Sequence, residues 1–384
     1  MATAVTGSFT IDEDQGATFV ELFFDLVFVF AITQVTGLVH HDLSPAGIGK
    51  ALLVFWMIWW GWTQFTWALN PINTEHATVR LWTLAATGIA FIMAVSVGDA
   101  FGSGGLLFAG SYVVCRFIGL GLYYVGVRDQ PELAKAVRFF TLLSVGGITL
   151  ALVGGFVAPD LRVWIWLGAV LLDLGAANLA AGSGDWQVHP GHFAERHGLF
   201  VIIALGESLV AAGVASSHQE MSVPLLIVAL GAVAVACLLW WSYFGWLKEE
   251  LERALAERTG PERSILARDA YSMLHFPLIG GVIAVAVGFE AMVAHPGDVL
   301  EFGPLAAFAT GILLFLGAGT AAWRVAGGTI LWWRVAFLVG AIAALFLLPE
   351  PTPLLVLGIT SIALLGVLLR EFARCRDKTD HVAT

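Results

Sequence analysis

The stretch TFVELFFDLVFVFAITQVTGLVH, residues 18–40, decides the fold class. Its only Asp or Glu side chains, Glu21 and Asp25, lie in the first two turns, and apolar residues fill most of the rest. At 1.5 Å per residue a helix of this length reaches about 34 Å, enough to cross the roughly 30 Å hydrocarbon core of a bilayer. The same ruler marks eleven further spans, at 49–69, 79–99, 105–127, 136–157, 161–181, 193–215, 222–247, 269–294, 303–323, 328–348 and 352–370. The expected fold is all-α, a polytopic transmembrane helix bundle of about twelve spans.

Composition agrees. Hydrophobic residues make up 58% of the 384 positions and charged residues 12%, against about 45–50% and 25% in soluble domains. A net charge of −10 and the absence of a basic stripe exclude a nucleic-acid partner. Residues 1–17 hold no Lys or Arg and no cleavable signal pattern, so the first apolar segment is expected to stay in the mature protein. Cys115, Cys237 and Cys375 have neither disulfide nor metal spacing.

Lysine and arginine set the expected orientation. With the N-terminus inside, fifteen of nineteen cations face the cytoplasm: Arg80, Arg128, Lys135, Arg138, Arg196, five between Lys248 and Arg268, Arg324, and four in the tail. Lys50 and Arg162 face outward, while Arg116 and Arg334 fall inside spans. The chain thus divides into a cytoplasmic N-terminal segment (1–17), a membrane domain (18–370) and a cytoplasmic tail (371–384), in a cell (inner or plasma) membrane. A polar connector at 248–268, charged at helical spacing, interrupts the membrane domain. Residues 26–34 can be laid on 199–207, an echo that suggests two six-helix halves.

Ionisable groups are expensive in hydrocarbon, so each is a candidate for function. Glu21 and Asp25 share a helix face four residues apart, and such a pair calls for a proton, a cation or an arginine unless headgroups wet it. After the second span, Asn70-Pro71-Ile72-Asn73-Thr74-Glu75-His76, with Arg80 one turn on, offers ligands for a divalent metal or a phosphate, or plain helix capping. Arg116 needs a buried anion, from Asp173 or a carboxylate of span one. His192 and Glu195 share a face, and Glu207 falls about 18 Å deeper than Glu195, near the midplane, where a proton relay or cation site needs a carboxylate. His275 and Glu290 point to opposite ends of span nine. Trp56, Trp59, Trp60, Trp62 and Trp67 either line an apolar cavity or serve in packing and interfacial belts.

Three blocks carry a likeness: Phe19-Val-Glu-Leu-Phe-Phe-Asp-Leu-Val-Phe-Val-Phe-Ala-Ile32, His192-Phe-Ala-Glu-Arg-His-Gly-Leu-Phe-Val-Ile-Ile-Ala-Leu-Gly-Glu-Ser208, and His275-Phe-Pro-Leu-Ile-Gly-Gly281 with Glu290 and His295-Pro296. They resemble the bacterial low-temperature-requirement A (LtrA) family of membrane proteins. Where such proteins usually carry Asp-Thr-Asp-Asp after span two, this chain has Asn73-Thr74-Glu75-His76, so a cation site there would be weaker or changed. The family name reports a cold-growth phenotype and implies no established reaction.

The leading expectation is a proton- or cation-coupled solute transporter. The rival is an intramembrane enzyme acting on a lipid or isoprenoid diphosphate, with a divalent metal such as Mg²⁺ at the cytoplasmic face. Glu207, Glu195 and His192 are the candidates for proton transfer. Arg116, Arg80, His76, Asn70, Asp173 and His275 are those for holding substrate, and Glu21, Asp25 and Glu75 those for a metal. The partners are the lipid bilayer and a small solute or lipid, with the oligomeric state open.

Overall fold

Local chemistry sets the helix boundaries. Ser44 accepts the amide of Gly47 at 3.2 Å and Pro45 takes the first helical position, a start signal that places one helix at Pro45–Leu69. Ser222 and Pro224 repeat the device at Val223–Phe244. In the computed structural model the chain forms α1 (Phe19–His41), α2 (Pro45–Leu69), α3 (Ala77–Val95), α4 (Gly105–Val127), α5 (Pro131–Phe156), α6 (Pro159–Ala181) and α7 (Pro190–Ser216). There follow α8 (Val223–Phe244), α9 (Leu247–Ala256), α10 (Gly260–Leu266), α11 (His275–Ala294), α12 (Phe302–Val325), α13 (Trp332–Leu347) and α14 (Pro353–Val382). The structure describes residues 15–181, 186–217 and 219–382, without the side chains of 181 and 374–382, and these residues contain no strand. Most of the expected N-terminal segment, and the side chains of Arg374, Cys375, Arg376 and Lys378, lie outside the described residues.

Every expected span carries a helix, and among the described residues ten helical stretches are long and apolar enough to cross a membrane. The expected spans outside these ten are α13, with 16 residues, and α2, a 25-residue helix rich in tryptophan. The connector is two short helices, α9 and α10, broken at Gly260, whose φ of +56° suits glycine. It runs on into a wide π-helical turn at Ala267–Met273. The last helix continues beyond the expected span into the polar tail.

The chain divides into two compact units, Met1–Phe200 with Glu252–Met273, and Val201–Leu251 with Leu274–Thr384. In the first unit α1 packs on α2 and α3, α3 on α4, and α4 on α5. The helix α2 lies against α1, α4 and α6, with Trp59 and Trp62 fully buried. Arg162, expected as an outward loop cation, is buried on α6 and donates to the carbonyls of Ala100, Gly102, Gly154 and Val157. It thereby satisfies helix-end acceptors that water would otherwise have to meet. In the second unit α11 packs along α12 and α8 along α14. A Cβ on Gly281 would meet the Gly311 carbonyl oxygen at 2.7 Å, and one on Gly311 would meet that of Gly281 at the same distance. Lipid chains are as apolar as leucine, so close backbone approach of this kind, rather than escape from water, holds such helices together.

Candidate functional site

Glu21 is the third residue of α1 and closes a capping box: its Oε2 accepts from the backbone N–H of Thr18 at 3.0 Å and the Thr18 hydroxyl at 2.8 Å. The Thr74 hydroxyl reaches the same oxygen at 3.3 Å. Its other oxygen, Oε1, meets His192 Nε2 at 2.9 Å and accepts from Arg196 Nη1 at 2.8 Å. One turn on, Asp25 accepts from Arg196 through both oxygens, at 2.9 and 2.5 Å, and from the Trp62 indole N–H at 2.6 Å. The two carboxylates predicted to share a face therefore share one guanidinium. Its fork spans both acids, a reach that an ammonium lacks.

His192 and Arg196 sit on the opening turns of α7, four residues apart, the same spacing as Glu21 and Asp25 on α1. Glu21, Asp25, His192 and Arg196 are all 0% exposed. Behind them Asn70, the last cap of α2, accepts from the backbone N–H of His189 at 2.7 Å and donates to its carbonyl at 3.2 Å. That pairing assigns the Asn70 amide, which turns its NH₂ toward His192 Nδ1 at 3.1 Å. Nδ1 is then an acceptor, so the ring is neutral, with its proton on Nε2 donated to Glu21. Two carboxylates, one guanidinium and a neutral imidazole sum to one negative charge. The N-termini of α1 and α7 each add a partial positive charge, roughly half a unit.

The remaining candidates stand elsewhere. Glu195 accepts the Ala17 backbone N–H at 2.8 Å and so ties the segment before α1 to α7. Glu75 is exposed and paired with Arg80, Asn73 accepts the Glu75 N–H, and His76 caps α3 by accepting from Thr78. Arg116 of α4 forms a buried two-point pair with Asp173 of α6 at 3.0 and 3.2 Å and also donates to the Tyr112 hydroxyl. In the second unit His275 Nε2 lies 2.8 Å from the Tyr243 hydroxyl, and Glu207 is half-buried on the later part of α7. Among the described residues no group of three or more His, Cys, Asp or Glu side chains is spaced to hold a metal ion. Of the acids expected to bind one, Glu21 and Asp25 converge while Glu75 stands apart.

Sequence reading counted Arg196 among loop cations, and the structure corrects this: it is the central cation of the cluster. Trp62 was missed as a partner of Asp25, and His197, whose ring lies among Trp59, Trp62, Phe193 and Tyr271, was not singled out beside it. The matched four-residue spacings on α1 and α7 were the available signal.

A family model described as bacterial low temperature requirement A protein (LtrA) matches residues 16–369. The chain belongs to the LtrA family. It is a multi-pass membrane protein, with its apolar helices distributed along nearly the whole LtrA match. The chain is similar to an uncharacterized protein of Rhizobium meliloti (strain 1021), 29% identical over 370 residues that cover 93% of this chain and 89% of that protein. No solved structure matches it. Within this LtrA chain the first two blocks that carried the likeness meet in the buried cluster, one supplying Glu21 and Asp25, the other His192 and Arg196. The stretch Asn73–His76 touches the cluster through Thr74, the position at which it keeps the residue such proteins usually carry.

Proposed function

We propose that this LtrA protein is a proton- or cation-coupled solute transporter and that Glu21, Asp25, His192 and Arg196 form its coupling site. The observation that supports this reading is that Glu21 and Asp25, both fully buried, share the single guanidinium of Arg196. Two buried carboxylates with one side-chain cation and two helix N-termini between them make a place where a proton or a small cation can be taken up and given back. A proton taken by either carboxylate would weaken one of the two links that Arg196 makes between α7 and α1. Loading and release of that proton would thus alternate between a tightly and a loosely joined pair of helices, which is what coupling requires. Glu207, eleven residues beyond Arg196 on α7, is the second titrating acid in this proposal.

The Lys and Arg asymmetry supports cytoplasmic placement of both ends, in the inner membrane of a bacterium. With Arg196 removed from the loops, fourteen cations still favour that face. An impermeant maleimide should then label a cysteine at Glu220 in intact cells, and one at Asp129 only after permeabilisation, in a background lacking the three native cysteines.

Coupling is tested by reconstituting the protein on a solid-supported membrane and recording charge movement as a panel of small solutes is applied at two pH values. Wild type should give solute-dependent currents that change with pH. Asp25→Asn and Glu207→Gln should fold and insert but lose the pH-dependent component. Wild-type currents from both variants would remove the coupling role.

A further inference from the structure

Apart from the charged cluster, the first unit holds a cavity with about 60 Å³ of space open to the centre of a water molecule. One face of α2 supplies its longest wall: Trp60, Thr63, Gln64 and Trp67 follow the i, i+3, i+4, i+7 spacing of a single helical stripe. Tyr123 and Phe140 line it from α4 and α5, and Trp186 packs against Trp67, Tyr123 and Phe140 with ring centroids 6.0 Å apart in each case.

The polar atoms on these walls fall into two groups. Trp67 donates to the Ser272 hydroxyl at 2.9 Å and Trp186 to the Ala180 carbonyl at 3.2 Å, so both indoles are satisfied within the protein. Four other atoms, Trp60 Nε1, Thr63 Oγ1, Gln64 Oε1 and the Tyr123 hydroxyl, have no hydrogen-bond partner among the described residues. Their residues are between 1 and 5% exposed. Thr63 is telling, because Thr66 three residues on bonds back to the carbonyl one turn earlier, at 3.3 Å, and Thr63 makes no such bond. Leaving a buried donor or acceptor unmatched is costly, and four on one cavity amount to a consistent pattern.

We infer that this cavity is a binding site for a small neutral amphiphile, with an apolar ring or chain body and a hydroxyl or amide head. The aromatic walls suit the body. The four polar atoms comprise one pure donor, one pure acceptor and two hydroxyls that serve as either, which matches a head group that both gives and accepts hydrogen bonds. None of the four is charged, and the guanidinium of Arg268 on the same cavity is already engaged by Asp269 at 2.6 Å. The wide π-helical turn that brings Arg268 and Ser272 to the wall is a local irregularity of the kind that often accompanies ligand sites. This site is independent of the coupling reading, because its readout is occupancy and involves no flux.

The test uses para-bromobenzyl alcohol, whose bromine quenches tryptophan, with the full-length protein in lipid nanodiscs. Wild type should show a saturable quenching component, displaced by unbrominated benzyl alcohol, above a linear background from partitioning into lipid. Tyr123→Phe and Thr63→Val each remove one polar atom at nearly constant shape. Either should raise the half-saturating concentration about tenfold with an unchanged near-ultraviolet circular dichroism spectrum, so the inference survives if one of the two fails to fold. Linear quenching alone in wild type would overturn it. Equal half-saturation in the folded variants would also overturn it, as would a density map in which ordered waters bond all four atoms in the presence of the alcohol.

Discussion

Asn70 fixes the protonation state of His192. Its amide is oriented by two bonds to the backbone of His189, so an N–H faces His192 Nδ1 at 3.1 Å and the ring proton must reside on Nε2, toward Glu21. Nitrogen-15 spectra of the ring in lipid should show one protonated and one bare nitrogen. Asn70→Asp replaces the donor with an acceptor, and both ring nitrogens should then carry protons. A bare Nδ1 in that variant would show that something other than Asn70 sets the tautomer.

Arg196 is held between two acids, and its loss leaves both buried without a cation. Arg196→Met should lower stability by about 3–5 kcal/mol, as when one partner of a buried ion pair is removed. Adding Glu21→Gln and Asp25→Asn to the same chain should recover much of that loss, because no uncompensated charge remains. Arg196→Lys should behave more like Met than like wild type, since one ammonium cannot bond both oxygens of Asp25 and also reach Glu21. Thermal unfolding in a fixed detergent ranks the four chains, and strictly additive losses would contradict the account.

The approach of α11 to α12 leaves no room at Gly281. An added Cβ would also meet the Phe315 backbone nitrogen at 2.7 Å, so Gly281→Ala should cost about 1–3 kcal/mol through overpacking. Gly213 has nothing within 4 Å of the corresponding position, and Gly213→Ala should leave the unfolding temperature unchanged or slightly raised. Similar melting curves for the two variants would argue against close contact of the helices.

Asp99 lies in the short turn between α3 and α4. The Ser103 hydroxyl, at 2.7 Å, and the Gly104 amide, at 2.6 Å, hold its carboxyl below the usual carboxylate range, with Arg162 adding a smaller pull. Folding thus favours the charged form, so its contribution is complete above the ordinary carboxylate pKa and disappears as pH falls through the lowered value. The carbon-13 titration of this carboxyl should shift to higher pH in Ser103→Ala. An unmoved midpoint would assign the effect to another group.

Much of the architecture was legible because hydrocarbon thickness imposes a length on every span, and the chain obeys it at α1, α4 and α12. The pairing of Glu21 with Asp25 was legible for a related reason, since helical geometry alone puts residues four apart on one face. Which cation answers them was not, because Arg196 follows Glu195 and precedes His197, a polar run that reads as a helix start at the membrane surface. Only the side-chain bonds from His192 and Arg196 to α1 reveal that the run faces inward. The partner of Arg116 was narrowed to Asp173 or an acid of span one, and chain order could not choose between them. The tryptophans of α2 could have been a belt or a wall, and their burial against α1, α4 and α6 is a property of the assembled unit rather than of the segment.

The burial of α2 also bears on how the protein is made. Enclosed by α1, α4 and α6 in the finished molecule, α2 reaches its final surroundings only after α6 has been made. The ion cluster joining α1 to α7 is likewise completed only when the ribosome has delivered a helix that begins more than 120 residues after α2 ends.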